Sequence, residues 1–482
     1  MAVSRALAAL GLAFACAAGA VAIGDVEEAR AADPRPNVVI LYVDDVNPNA
    51  ARLWSDISRT PSLAKLRRQG VRFLHAVGAT PLCGPSRATL LTGQYGHNNG
   101  VTGNGLHNFD PRSTLATKLQ GAGYHTILAG KYGNGIERVT PTQKSVWKYA
   151  RGWSKFDIIW KRPDKDIGRF YKYYLWTRGG VVWKGGKPRD HSTYVVGNRV
   201  ASYIRKAPRD KPLFALASLS SGHVPNIPLA WHSGSPACRA IQPYRPPSFN
   251  ERNVTDKPRY IRSLPRLSRQ SFGLRSRCEE MLGVDLALAK IRKALRETGR
   301  LNDTLLLFTA DNGYLLGDHR MPGDGGKRWP HAAPVPLYAL WPAELGNQRR
   351  TVAEPVSDAD LATTICKLAD CSLDDPDGSN ILPLLKGDAG KLDRRFVYTE
   401  MLRSSGGMPA WYGLVTTRAY STKATYQYVE YATGERELYN LTNDPYRLSN
   451  LASKPWQASR VKNLHSMLHS KVVKPDGVKF QR

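Results

Sequence analysis

Acidic residues are scarce in this chain. Its 482 residues carry 40 aspartates and glutamates against 69 lysines and arginines, a formal net charge of +29. An excess of that size draws polyanions and raises their encounter rate. Long apolar runs are missing beyond the first two dozen residues, which excludes a membrane-spanning helix later in the chain. No internal repeat and no low-complexity segment is present, so a repeat array is excluded as well. Cysteine is sparse, with six residues. What remains is the composition of an ordinary globular protein, 42% hydrophobic and 23% charged. The length accommodates one large domain and a smaller one.

The N-terminus has the form of a secretory signal. Arg5 precedes an apolar, Ala-rich run from Ala6 to Ile23, with small residues at Ala20-Val21-Ala22 and near Ala29-Arg30-Ala31. Residues 1–32 are read as signal and leader, and the protein as secreted, periplasmic or extracellular. Cys16 leaves with that segment. Cys238, Cys278, Cys366 and Cys371 form an even set in an oxidising compartment. Four cysteines allow three pairings, and nearness in sequence favours Cys366 with Cys371 and Cys238 with Cys278. Basic residues concentrate in two stretches. One runs from Lys144 to Arg189, interleaved with Trp147, Trp153, Trp160 and Trp176, and the other from Arg239 to Arg277. Such a mix suits nucleic acid or sulfated sugar chains, and export favours the sugar over nucleic acid. The plain alternative is a solvated basic surface with no specific partner.

Three apolar runs end in polar, ligand-type residues. Asn37 to Val43 ends in Asp44-Asp45, Pro212 to Leu219 in Ser220-Ser221-Gly222-His223, and Thr304 to Ala310 in Asp311-Asn312-Gly313. Each reads as a buried parallel strand, and in open α/β sheets the site lies at the strands' carboxyl ends. Helical patterns over Pro61 to Gln69 and Cys278 to Thr298 separate them. These elements predict a doubly wound α/β domain over residues 35–390. From residue 391 to 482 the texture changes. Short strands at Phe396 to Glu400, Trp411 to Val415 and Tyr426 to Glu430 precede an amphipathic helix from Pro455, predicting a smaller antiparallel sheet with a helix packed on it.

The most informative segment is Cys83-Gly84-Pro85-Ser86-Arg87-Ala88-Thr89-Leu90-Leu91-Thr92-Gly93. Gly84 and Pro85 punctuate a turn, and Ala88 to Leu91 read as the first turns of a helix that Ser86 could cap. A residue at that helix mouth sits in positive potential and favours an anionic substrate. A lone cysteine is otherwise most often a buried thiol. The spacing Cys-x-Pro-x-Arg with a Leu-Thr-Gly ending resembles the signature of the type I sulfatases. The resemblance runs from about Asn37 to about Leu451. It takes in Asp44-Asp45, the segment Met281 to Arg320, Asp360 to Thr364, Asp377 to Leu385, and Glu437 to Leu441 with Asn443-Asp444-Pro445. Tyr95 to Asn99 and Gly130-Lys131-Tyr132 are similar to the branch of N-acetylglucosamine-6-sulfatases, extracellular heparan sulfatases and arylsulfatases.

That resemblance implies an alkaline-phosphatase-like fold and a sulfuric ester hydrolase in which Cys83 is oxidised to formylglycine by a generating enzyme. Asp44, Asp45, Asp311 and Asn312 offer only oxygen donors, which select calcium or magnesium over zinc. The family usually holds calcium, with residue 83 in its shell. Arg87 would hold the hydrated aldehyde, Lys131 and Lys327 the sulfate, and His223 would protonate the departing alcohol, with His319 as a second candidate. Two positions depart from the family pattern. Gly133 stands where many members have a histidine, so the base that expels sulfate is unassigned. Trp329-Pro330-His331 replaces a Tyr-Glu-Glu run, which implies a rebuilt substrate rim. The expected substrate is a sulfated small molecule or anionic polysaccharide. The rivals are a phosphonate or phosphate monoester hydrolase and a non-catalytic polyanion-binding protein.

Overall fold

The computed structural model describes residues 33–471 apart from 50, 52–58, 107, 137–141, 143, 144, 146, 147, 161–168, 240, 242, 269–272, 322, 347, 348, 405 and 406. The predicted signal, residues 1–32, lies outside the described residues. The strands are β1 (Asn37–Val43), β2 (Val71–Phe73), β3 (Ala76–Val77), β4 (His125–Gly130), β5 (Lys155–Trp160), β6 (Tyr173–Thr177), β7 (Gly180–Lys184) and β8 (Leu213–Ser218). They continue as β9 (Thr304–Ala310), β10 (Leu337–Leu340), β11 (Arg350–Val352), β12 (Val356–Ser357), β13 (Phe396–Met401), β14 (Trp411–Thr416), β15 (Tyr426–Tyr431) and β16 (Arg436–Asn440). The main helices are α1 (Pro61–Gln69), α2 (Cys83–Thr92), α3 (Leu115–Gly121), α4 (Ser192–Arg205), α5 (Leu274–Glu297), α6 (Asp358–Leu368) and α7 (Ala458–Lys471).

A ten-stranded mixed sheet in the order β11-β2-β10-β9-β1-β8-β4-β5-β6-β7 forms the core. Its five central strands, β9 to β5, are parallel. The outer strands β10, β6 and β7 run antiparallel to their inner neighbours. Every residue of β1, β8 and β9 is buried, as a strand covered on both faces must be, and this is why these runs read as continuous apolar segments. The helices pack in two groups, α4 with α5 and α5 with α1, and α2 with α6 and α3. That is the two-sided cover of a doubly wound sheet. A separate antiparallel sheet, β13-β14-β15-β16, carries α7.

Two expected boundaries move. Helix α5 begins at Leu274, one turn before Cys278. Helix α2 begins at Cys83 rather than Ala88, because Gly84 and Pro85 sit in its first turn, where a missing N–H costs nothing. Ser86 is therefore inside the helix and does not cap it. Its hydroxyl donates to Asp358 Oδ2 at 2.9 Å instead. The disulfides are Cys238–Cys278 and Cys366–Cys371, the pairing that nearness in sequence favours.

Helix α1 shows how distant segments complete one another. Thr60 supplies no side-chain cap and Pro61 fills the first turn. The Leu63 N–H is instead bound by Asp285 Oδ1 of α5, at 2.7 Å. Burial raises the Asp285 carboxyl to about 6, against the opposing pull of the Leu63 N–H, Ser62 and Arg292. The folded state thus keeps this proton to a higher pH than the unfolded chain. Stability contributed by Asp285 is present below about pH 4 and is lost as the pH rises to about 6. Asp285→Asn should remove that slope. The urea midpoint of the wild type should fall relative to the variant between pH 4 and pH 7, and parallel pH profiles would refute the assignment.

Candidate active site

The register of the central strands builds the site. Val43 of β1 lies beside Ala310 of β9, and Tyr42 beside both Thr309 and Ser218 of β8. The next residues, Asp44-Asp45 and Asp311-Asn312, therefore emerge side by side, and all four are fully buried. Asp45 adopts φ 54, a left-handed conformation that aspartate tolerates. Its N–H donates to Asp311 Oδ1 at 3.1 Å. Beyond β8, Gly222 has φ +103 and a Cβ there would lie 2.0 Å from the Asp44 carbonyl oxygen. Only glycine fits, and the turn delivers His223 against Asp45. At the end of β4, Gly130 has φ +116 and a Cβ there would lie 1.8 Å from the Ser218 carbonyl oxygen. The chain turns on it and swings Lys131 inward.

Helix α2 brings its first residue to the same place. Cys83 Sγ lies 3.3 Å from Asp44 Oδ1 and 4.0 Å from Asp45 Oδ1. One turn on, Arg87 donates through Nε to Asp311 Oδ2 at 3.0 Å and through Nη1 to the Lys131 carbonyl at 2.9 Å and Ser218 Oγ at 2.6 Å. Lys131 Nζ donates to Asp44 Oδ2 at 2.6 Å. Lys327, from a short 3-10 helix, reaches Asp45 Oδ2 at 3.2 Å and His223 Nε2 at 3.4 Å. His223 Nε2 is 3.7 Å from Asp45 Oδ2, and its Nδ1 donates to the Val224 carbonyl at 2.6 Å. Nine of the ten site residues named from the sequence converge.

His319 does not join them. It pairs with Glu251 and packs edge-on against Trp329 and His331. Trp329 and His331 correct the expectation of a rebuilt rim. Trp329 is fully buried, donates to Tyr431 at 2.8 Å and Glu437 at 3.3 Å, and stacks on the buried His331. These side chains pin the segment between β9 and β10 to the small sheet. Sequence reading also missed Arg169, whose Nη1 lies 3.8 Å from Asp44 Oδ2. Its one signal was membership of the basic stretch after Lys144. At Gly133 a Cβ would lie 2.1 Å from Leu106 Cδ1, so that leucine occupies the space a side chain there would need.

Three carboxylates thus face four fixed cations, Arg87, Lys131, Arg169 and Lys327. Burial alone would raise Asp44, but Lys131, His223, Arg87 and Arg169 together hold it well below the usual carboxylate range. Asp311 moves the other way, to about 6, pushed by burial and by Asp44. Burial, then the negative charge of Asp311 and Asp44, drives the Cys83 thiol well up. Burial lowers His223 to about 4. Oxygens of Asp44, Asp45 and Asp311 and the Cys83 sulfur all lie within 4.8 Å of one another. Asn312 Oδ1 is buried without a hydrogen-bond partner. A hard divalent cation fits this donor set.

The family model described as Sulfatase matches residues 36–371, and one described as N-sulphoglucosamine sulphohydrolase, C-terminal, matches residues 326–474. The chain is 28% identical over 466 residues to the N-acetylglucosamine-6-sulfatase of Homo sapiens, covering 87% of this chain and 81% of that one. The structure of BT4656 in complex with its substrate D-glucosamine-2-N,6-O-disulfate superposes with a TM-score of 0.75 at 20% identity, covering 90% and 97% of the two chains. The phosphonate monoester hydrolase of Agrobacterium radiobacter superposes with a TM-score of 0.67 at 21% identity, covering 90% and 95%.

Proposed function

The chain belongs to the sulfatase family, and on that premise we propose that it is an exported hydrolase of sulfate esters on anionic sugars, working through an oxidised Cys83. The observation that carries this reading is the meeting of Cys83, at the mouth of a buried helix, with three carboxylates and four fixed cations. Excess positive charge around a carboxylate cluster suits a dianionic group bound over a metal. The human relative is named for a glucosamine sulfate, and BT4656 is complexed with one. Those names, with the net charge of +29, favour a sulfated amino sugar or a polysaccharide bearing it.

Asp44, Asp45, Asp311 and Asn312 would hold calcium, or magnesium, beside residue 83. When present, that cation supplies Lewis-acid polarisation of the sulfate, and formylglycine supplies a hydroxyl nucleophile in its hydrate. Oxidation of Cys83 calls for a formylglycine-generating enzyme as a partner during maturation. Lys131 and Lys327 bind the sulfate oxygens, and Arg169 closes the same rim. Arg87, pinned by Asp311, Ser218 and the Lys131 carbonyl, holds residue 83 in line. His223 has its Nδ1 proton committed to Val224, so Nε2 carries the lone pair, and the proton it gives the leaving alcohol is one taken from Lys327 Nζ, 3.4 Å away. With Leu106 filling the space beside Gly133, the same Nε2 is the imidazole available to accept the proton when sulfate is expelled. The export reading rests on residues 1–32. Among the described residues no helix is long and apolar enough to cross a membrane.

The test compares hydrolysis of an aryl sulfate, an aryl phosphate, an aryl phosphonate and a 6-O-sulfated glucosamine by protein from its native host. Sulfate esters should be cleaved fastest by kcat/KM, with the sugar preferred to the aryl ester. A phosphonate or phosphate ester cleaved faster than either sulfate would replace this reading with that of a phosphonate monoester hydrolase.

A further inference from the structure

The small sheet and the terminal helix carry a second convergence of metal-ligating side chains, of different chemistry from the first. His465 and His469 stand one turn apart on α7 and leave the same face of the helix. Their ring centroids are 4.1 Å apart. That face meets Glu430 on β15. His465 Nδ1 lies 2.5 Å from Glu430 Oε1, and His469 Nε2 lies 2.9 Å from Oε2. Ligand atoms of the three residues all fall within 4.8 Å of one another. Behind Glu430, the buried Tyr428 donates its hydroxyl to Oε1 at 2.6 Å. This is the outer-shell hydrogen bond that orients a ligating carboxylate.

The supporting elements are firm. Strand β15 is paired on both sides, by β14 and β16. Helix α7 is seated by the buried Val461, Leu464, Met467 and Leu468. The histidine side chains are 38% and 34% exposed and Glu430 is 10% exposed, so an ion can enter from solvent at a site whose carboxylate is already fixed. A charge that opposes a cation among the described residues is Arg436, with Nε 3.9 Å from Glu430 Oε1 and its side chain 46% exposed.

We propose that Glu430, His465 and His469 bind a borderline divalent transition ion, with Zn2+ as the reference, and that this ion clasps the terminal helix to the small sheet. Two imidazole nitrogens and one carboxylate oxygen select zinc, cobalt, nickel or copper over calcium and magnesium. Three protein ligands leave a fourth, tetrahedral position for water. The three donors come from one strand and one helix, so the bound ion cross-links β15 to α7 across the residues between them. The inference does not depend on the sulfatase reading, because none of the three residues belongs to the cluster at Asp44.

Untagged, full-length protein saturated with calcium is titrated with zinc chloride by calorimetry, and its thermal midpoint is followed with and without zinc. One zinc equivalent should bind, and the midpoint should rise by a few degrees. His469→Gln should weaken zinc binding by about 10- to 100-fold and abolish the rise, while sulfate-ester hydrolysis stays at the wild-type level. Glu430→Gln keeps a hydrogen-bond partner for both rings, so it separates ligation from packing; it too should lose the zinc effect. Equal zinc uptake and equal thermal shift in the wild type and either variant would overturn the site.

Discussion

Replacing Cys83 with alanine should cut kcat for sulfate-ester hydrolysis on the order of 10⁴- to 10⁶-fold, the scale set by removing a covalent nucleophile elsewhere. The fold should survive. Cys83 is fully buried, and its sulfur packs against Asp44 Oδ1 at 3.3 Å, so the change removes one atom from a wall of charged groups rather than from an apolar core. Circular dichroism and the thermal midpoint should be close to wild type. In parallel, the tryptic peptide Phe73 to Arg87 from native protein should be about 18 Da lighter than its sequence mass, the signature of cysteine converted to formylglycine. An unmodified thiol in fully active protein would remove the proposed nucleophile. An active Cys83→Ala variant would remove the covalent mechanism altogether.

Arg394→Met should cost about 3–5 kcal/mol of unfolding free energy, as breaking a buried ion pair does when one charge is left behind. Asp360, at the start of α6, is fully buried. Its carboxylate accepts from Arg394 Nη1 at 2.5 Å and Nη2 at 2.6 Å, and from the Ser357 and Ser379 N–H groups at 2.7 Å each. Arg394 also donates to the Pro355 carbonyl at 3.0 Å and immediately precedes the small sheet. The variant strands a carboxylate where α6 meets the segment that leads into the small sheet. Urea denaturation should show the loss as a lower midpoint, and adding Asp360→Asn should restore part of it. A loss below about 1 kcal/mol would mean that water screens the pair as it does at a surface.

Much of this architecture was legible because the central strands obey simple physics. A strand covered on both faces must be apolar throughout, so β1, β8 and β9 announce themselves, and the polar residues at their ends mark the site. Cys83 and Arg87 were legible through the resemblance of their motif to the sulfatase signature, and Lys131 and His223 through the same resemblance, at the ends of predicted strands. What the sequence could not display was what lies across space from each residue. Ser86 has the chemistry of a cap, yet Asp358, 272 residues away, claims its hydroxyl. Trp329 and His331 look like surface recognition groups, but Glu437 and Tyr431 bury them. Arg169 carries no motif and becomes a site residue only because the fold places it beside Asp44. His465 and His469 have helical spacing in plain view, but their partner Glu430 sits on a strand that nothing local connects to them.

The strand order of the large sheet bears on how the chain is made. Strand β1, apolar but for Asn37, is made before the other described strands, but its two neighbours are β8 and β9, and β8 begins about 170 residues later. At ribosomal speeds of about 5–20 residues per second, β1 waits roughly 10–30 s for its first partner and longer for its second. During that interval an apolar segment has no sheet to join, so holdase chaperones or continued movement across a membrane must keep it from aggregating. On the proposed function, the same delay would leave Cys83, which folding buries completely, open to a modifying enzyme while the chain is still growing. Late closure of the central sheet would then set both the opportunity for the proposed maturation of residue 83 and its end.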